Sequence, residues 1–175
     1  MASLNDQEAF AVAVEEAKIS YQEGGVPIGA ALISKDGKLL GRGHNMRVQK
    51  GSAIHHVRNN SEDICSSLSA CLEINYIDTA TSALENSGRL PASAYKGATM
   101  FTTTGACILY GISRVVIGEN KTFLGGEAYL KQRGIEVVNM QNDECQELME
   151  KFISEKPDLW NEDIGVEKRV YSKEG

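Results

Sequence analysis

The chain has 175 residues, 42% of them hydrophobic and 24% charged, with 18 Lys and Arg against 24 Asp and Glu for a formal net charge of −6. Those proportions fit one globular domain over residues 1–175 and exclude a disordered or low-complexity protein. No apolar run reaches the ~18 residues of a membrane span, and scattered Lys and Arg in an acidic chain argue against a nucleic-acid backbone as partner.

Taken in chain order, Asn5 or Asp6 can cap a first helix whose apolar stripe is Phe10, Val14, Ala17 and Tyr21, one helical face, ended by Gly24-Gly25. Val26 to Ile33 is a nearly continuous apolar run that predicts a strand buried on both faces. Lys35-Asp36-Gly37 then predicts a tight turn into a second strand, Lys38 to Gly43. Farther on, strands are predicted at Ala98 to Thr103, Arg114 to Gly118 and Ile135 to Met140. Short helices are predicted at Thr104 to Tyr110 and Glu127 to Arg133, the latter closed by Gly134. Cys145, Leu148, Met149 and Phe152 mark the buried stripe of a last helix, which Pro157 breaks before a short tail containing Trp160. Helices alternating with buried strands predict an α/β fold, a three-layer α/β/α sandwich.

Val57 to Thr81 does not fit. It is polar, rich in Ser and Asn, and keeps neither period for long, so it reads as an atypical insertion and a long irregular loop.

The amino terminus MASLNDQEAF has no basic stretch followed by an apolar one, so no secretory signal is expected. The cysteines Cys65, Cys71, Cys107 and Cys145 form no dense disulfide framework, which points to a reducing, cytoplasmic setting. Cys65 and Cys71 have five residues between them, more than a zinc hairpin uses, while Cys107 and Cys145 sit among apolar neighbours as small core residues. His44, beside Asn45 at a strand end, reads as a hydrogen-bonded structural residue. In the pair His55-His56, one residue could ligate zinc, or both could be solvated loop residues. No GxSxG elbow and no HExxH motif is present.

The runs EEAKISYQEGGVPIGAALISKDGKLLGRGHNMRVQKGSA (Glu15 to Ala53), ALENSGRL (Ala83 to Leu90), YGISRVVIGENKTFLGGEAYLKQRGIEVV (Tyr110 to Val138) and KFISEKPDLWNEDIG (Lys151 to Gly165) together resemble the fungal cytosine deaminases, members of the cytidine and deoxycytidylate deaminase superfamily. The resemblance implies a central mixed five-stranded sheet between helices, a homodimer, and zinc-dependent hydrolysis of cytosine to uracil in pyrimidine salvage. Its setting is cytoplasmic, with some family members also nuclear. Family chemistry uses a His and two Cys as zinc ligands and a Glu as proton shuttle, in the signature H-x-E followed by P-C-x-x-C.

The resemblance places His56 as the metal ligand, Asn45 as the pyrimidine-binding Asn, and Phe123, Trp160, Asp163 and Ile164 as pocket wall and lid. The Gly-Glu expected after His56 is replaced by Val57-Arg58, so the catalytic Glu has no counterpart. Glu62 and Glu73, inside the insertion, are the acidic residues nearest that role. Thr102-Thr103 runs directly into Thr104-Gly105-Ala106, so a deletion between 103 and 104 removes the Pro-Cys-x-x-Cys loop and both Cys ligands. The chain as written is therefore expected to bind zinc weakly and to have little or no activity. The alternatives are a non-catalytic deaminase-fold protein that dimerises or binds a ligand, or the product of a misread or alternatively spliced gene.

Overall fold

The computed structural model describes residues 3–51, 83, 86–88, 90–104, 112–123 and 126–164. Helix α1 (Asp6–Gln22) opens on Asn5, whose side chain accepts from the Glu8 N–H at 2.9 Å while the Glu8 carboxylate accepts from the Asn5 N–H at 2.9 Å. This reciprocal cap satisfies donors that the first helical turn otherwise leaves unpaired. The predicted stripe is the buried one at Phe10, Val14 and Ala17, joined by Ala9 and Ala13. Tyr21 is half-buried, and its hydroxyl donates to Glu155.

Five strands follow: β1 (Gly29–Ile33), β2 (Leu39–His44), β3 (Thr99–Thr104), β4 (Arg114–Glu119) and β5 (Glu136–Asn139), in the sheet order β2-β1-β3-β4-β5. β1 pairs antiparallel with β2 and β3, whereas β3 pairs parallel with β4 and β4 with β5, so the sheet is mixed. The first strand starts at Gly29 rather than Val26. Pro27 has no N–H for a ladder, and the Ile28 N–H closes on the Val26 carbonyl at 2.7 Å in a tight turn. The predicted Asp-Gly turn is present: Gly37, at φ 78°, takes the left-handed conformation and its N–H donates to Ser34 O at 2.9 Å.

Side chains alternate across the sheet with the period of two that pleated backbone imposes. Ala31, Ile33, Phe101 and Val116 pack with Phe10, Ala13 and Val14 of α1 and with Cys145. Ala30, Leu32, Met100, Val115 and Ile117 pack on the opposite side with Ala83, Tyr95 and Leu130. Helices therefore cover both faces. They comprise α2 (Arg47–Lys50), α3 (Ala92–Tyr95), α4 (Glu127–Gln132), α5 (Asp143–Glu155) and α6 (Pro157–Asp163). Gly29 lets α1 lie directly on β1, because a Cβ there would land on the Ala13 carbonyl and the Ala17 nitrogen.

Two further expectations need correction. The segment after Pro157 is helix α6, not a tail: proline at a first helical position needs no hydrogen-bond acceptor, so Pro157 stops α5 and starts α6. Thr104, expected to open a helix, is the last residue of β3 and pairs with Glu119. Residues 105–110, which held the rest of that helix, and the whole insertion at 57–81 lie outside the described residues. Among the described residues, no helix is long and apolar enough to cross a membrane.

Candidate functional site

Asn45 follows β2 directly and is 1% exposed. Its main chain is tied on both sides: its N–H donates to Ile28 O at 2.9 Å, and its carbonyl accepts from Gln49 Nε2 at 3.0 Å. The Ser20 hydroxyl of α1 lies 3.0 Å from the same carbonyl and 2.6 Å from Val26 O, so it bridges the helix to this corner. The Asn45 side-chain oxygen accepts from the Arg47 N–H at 3.0 Å, which turns the chain into α2.

Arg47 reaches across to α6. Its Nη2 lies 2.7 Å from Glu162 Oε1 and its Nη1 lies 3.5 Å from Asp163 Oδ1. Asp163 is 4% exposed, a carboxylate withdrawn from solvent and facing a guanidinium. Phe123 and Trp160 meet as an aromatic pair inside a cluster with Val26, Met149 and Phe152, to which Ile28 and Ile164 contribute. The indole Nε1 of Trp160 is buried and has no hydrogen-bond partner among the described residues. The structure thus brings Phe123, Trp160 and Ile164 into one apolar cluster and joins Asn45 to Asp163 through Arg47.

Phe123 is delivered by the turn after β4. The buried Glu119 carboxylate ends that strand and accepts from the Lys121 N–H at 2.8 Å, the Thr122 N–H at 3.0 Å and the Thr122 hydroxyl. Neither Glu119 nor Arg47 stood out in sequence. A charged residue ending the apolar run RVVIG is the one signal that could have found Glu119. The site lies where the parallel strands β3 and β4 end, the side on which open α/β sheets present their ligands.

The described residues do not fit a zinc ion. Both ring nitrogens of His44 face carboxylates, Nδ1 at 2.6 Å from Glu16 and Nε2 at 3.1 Å from Glu23. His44 is thus the structural residue its sequence position suggested. Glu16 is shared with Arg42, whose guanidinium pKa is raised chiefly by that hydrogen bond. Cys145 sits in the core, and burial, with Glu119 and Glu144 adding to it, pushes its thiol up to about 12. Zinc binds thiolate, so this sulfur is a poor ligand. Among the described residues, no group of three or more His, Cys, Asp or Glu side chains could hold a metal. His55, His56, Glu62, Cys65, Cys71, Glu73 and Cys107 lie outside the described residues.

Comparison with known proteins agrees with this architecture. The family model for the cytidine and deoxycytidylate deaminase zinc-binding region matches residues 3–119. Cytosine deaminase of Candida albicans is 47% identical over 170 residues, covering 93% of this chain and 99% of the relative. A tRNA-specific adenosine deaminase of Streptococcus pyogenes is 44% identical over 55 residues, 31% of this chain and 34% of its own length. Among solved structures, the guanine deaminase of Nitrosomonas europaea superposes with a TM-score of 0.52 at 17% identity over 87% of each chain. Acinetobacter baumannii RibD gives 0.54 at 20% identity, over 85% of this chain and 39% of RibD. The mixed five-stranded sheet, the matched family model and the near full-length relative together make this chain a member of the cytidine and deoxycytidylate deaminase family.

Proposed function

We propose that this chain is a cytosine-deaminase-type protein that retains a wall for a flat pyrimidine base and carries out little or no deamination. The observation that carries the first half is the meeting of Phe123, Trp160 and Ile164 in one cluster, with Asn45 and Asp163 joined beside it through Arg47. In this reading Asn45 supplies a hydrogen bond, Phe123 an aromatic face, and Trp160, Asp163 and Ile164 the lid. The near full-length likeness to a cytosine deaminase supports a six-membered, neutral base as ligand.

The second half rests on the residues available for chemistry. Hydrolytic deamination needs a water whose pKa is brought to about 7 by a metal with three protein ligands, and a carboxylate to move its proton. When bound, zinc would supply that water. Of the family's three ligands only His56 has a counterpart here, and β3 runs unbroken through Thr103 and Thr104, where the family's Pro-Cys-x-x-Cys loop belongs. Glu62 and Glu73 have no aligned role. The same reading makes the chain one deaminase-like domain over 1–175, acting in the cytoplasm as a homodimer. This reading assigns the dimer contact to the apolar run Ile108, Leu109 and Tyr110.

The test is purified protein assayed with cytosine. Ligand-observed NMR should detect weak cytosine binding, metal analysis should find well under one tightly bound zinc per chain, and no ammonia should be released with or without added zinc. Zinc-dependent ammonia release would overturn the reading of the chemistry, and the absence of any cytosine contact at millimolar concentration would overturn the reading of the wall.

A further inference from the structure

We propose that Arg47 is a positioning residue that couples Asn45 to helix α6 and so holds the Trp160–Asp163 side of the base site in place. The proposal deepens the base-site reading and rests on it for its ligand. Arg47 belongs to neither the aromatic cluster nor the ligand-facing set. Its part is mechanical. Its backbone N–H donates to the Asn45 side-chain oxygen at 3.0 Å, and its guanidinium reaches Glu162 at 2.7 Å and Asp163 at 3.5 Å.

One end of this strut is immobile. Asn45 is buried and its main chain is bonded to Ile28 and Gln49, so the start of α2 cannot shift without breaking those contacts. The other end is a helix of seven residues, Pro157–Asp163, too short to hold its own position, whose Trp160 packs in the apolar cluster. The Arg47 side chain is only 11% exposed, against 66% for Glu162, so its charge is largely withdrawn from water and depends on these carboxylates. Lysine would keep the charge but lose the planar fork that spans two neighbouring acids. Without the guanidinium, α6 loses its ion pairs to the Asn45 corner. Asp163 and Trp160 share α6, so loosening that link loosens the seat of the indole.

The chain has one tryptophan, so its emission reports on Trp160 alone. Acrylamide quenching of ligand-free protein should rise about twofold in Arg47→Ala and less in Arg47→Lys. Cytosine affinity should fall about tenfold in Arg47→Ala, equivalent to roughly 1.4 kcal/mol. Arg114→Ala is the control, since Arg114 pairs with Asp6 and Glu136 away from this cluster; it should change neither quantity. Unchanged quenching in Arg47→Ala, or equal changes in both alanine variants, would overturn the coupling. If Arg47→Ala fails to fold, Arg47→Lys against Arg114→Lys makes the same comparison. If wild-type protein binds no cytosine, the base-site reading fails, and quenching alone still decides whether Arg47 holds α6.

Discussion

The ring of Phe123 meets the ring of Trp160 edge to face, with centroids 5.9 Å apart and planes at 89°. One ring comes from the turn after β4 and the other from α6, so this contact ties two separately built parts of the apolar cluster. Edge-to-face pairs contribute about 0.5–1.5 kcal/mol beyond area burial. Phe123→Leu should therefore lower unfolding stability by about 1 kcal/mol, while Phe123→Ala, which also opens space, should lower it by about 2–3 kcal/mol. Urea denaturation followed by far-UV circular dichroism measures both; no loss in Phe123→Leu would show that the ring's geometry contributes nothing.

The turn that presents Phe123 depends on Glu119. Replacing it with Ala strands two backbone N–H groups and the Thr122 hydroxyl, and should reduce stability by about 2–3 kcal/mol. Thr122→Val removes one donor and leaves the two backbone bonds, so its loss should be nearer 1 kcal/mol. The ranking, read from denaturation midpoints, is the check.

Acid should weaken the link between α1 and β4. The Arg114 guanidinium, donating to Asp6 at 2.9 and 2.7 Å, holds the Asp6 carboxyl below its ordinary value of 3.8. A depressed carboxyl adds stability that is complete above the unfolded-state pKa and is lost as pH falls through the lower folded-state value. Asp6 is half exposed, so solvent screening limits the effect to about 0.5 kcal/mol. Asp6→Asn should be less stable than wild type at pH 6, and the gap should narrow as pH falls below 3.8. A gap that widens on acidification would contradict this sign.

Cys145 should resist alkylation in the native protein. With its thiol pushed up to about 12 by burial and 3% exposed, it offers almost no thiolate at pH 8. Mass spectrometry after iodoacetamide treatment should find Cys145 unmodified in buffer and modified in 6 M guanidinium. Rapid native labelling would place the thiol outside the core.

Restoring the chemistry should require two repairs. Replacing residues 57–81 with a segment that begins Gly-Glu, directly after His56, should leave the protein inactive, because the Pro-Cys-x-x-Cys loop of the family signature would still be missing. Inserting a Pro-Cys-x-x-Cys loop between Thr103 and Thr104 should raise zinc content without turnover, because no Glu would move the proton. Ammonia release from cytosine is expected from the double repair alone.

What the sequence revealed divides along physical lines. β1 and β4 were legible because each is an apolar run bounded by glycine or charge, and β4 and β5 start within one residue of where the pattern put them. The start of β1 was misread because buried Val26 and half-buried Ile28 pack in the aromatic cluster, not in the sheet. Hydrophobicity does not say which neighbour it serves. Helix α6 was missed because Pro157 reads equally as a stop and as a start. Asn45, Phe123, Trp160, Asp163 and Ile164 were reached through resemblance, and no local pattern would have gathered residues as far apart as Asn45 and Ile164. Arg47 and Glu119 escaped because each acts by holding a neighbour, and such a role is visible only once the neighbour's bonds are known.

The corner around Asn45 has a consequence for how such a protein ages. Ser20 and Gln49, which hold it, also fasten the end of α1 to the start of the sheet, so selection for folding alone is enough to preserve them. A residue used for chemistry alone enjoys no such protection, since folding does not need it. In any lineage that drifted away from catalysis, a corner of this kind should therefore outlive turnover, kept as a by-product of staying folded.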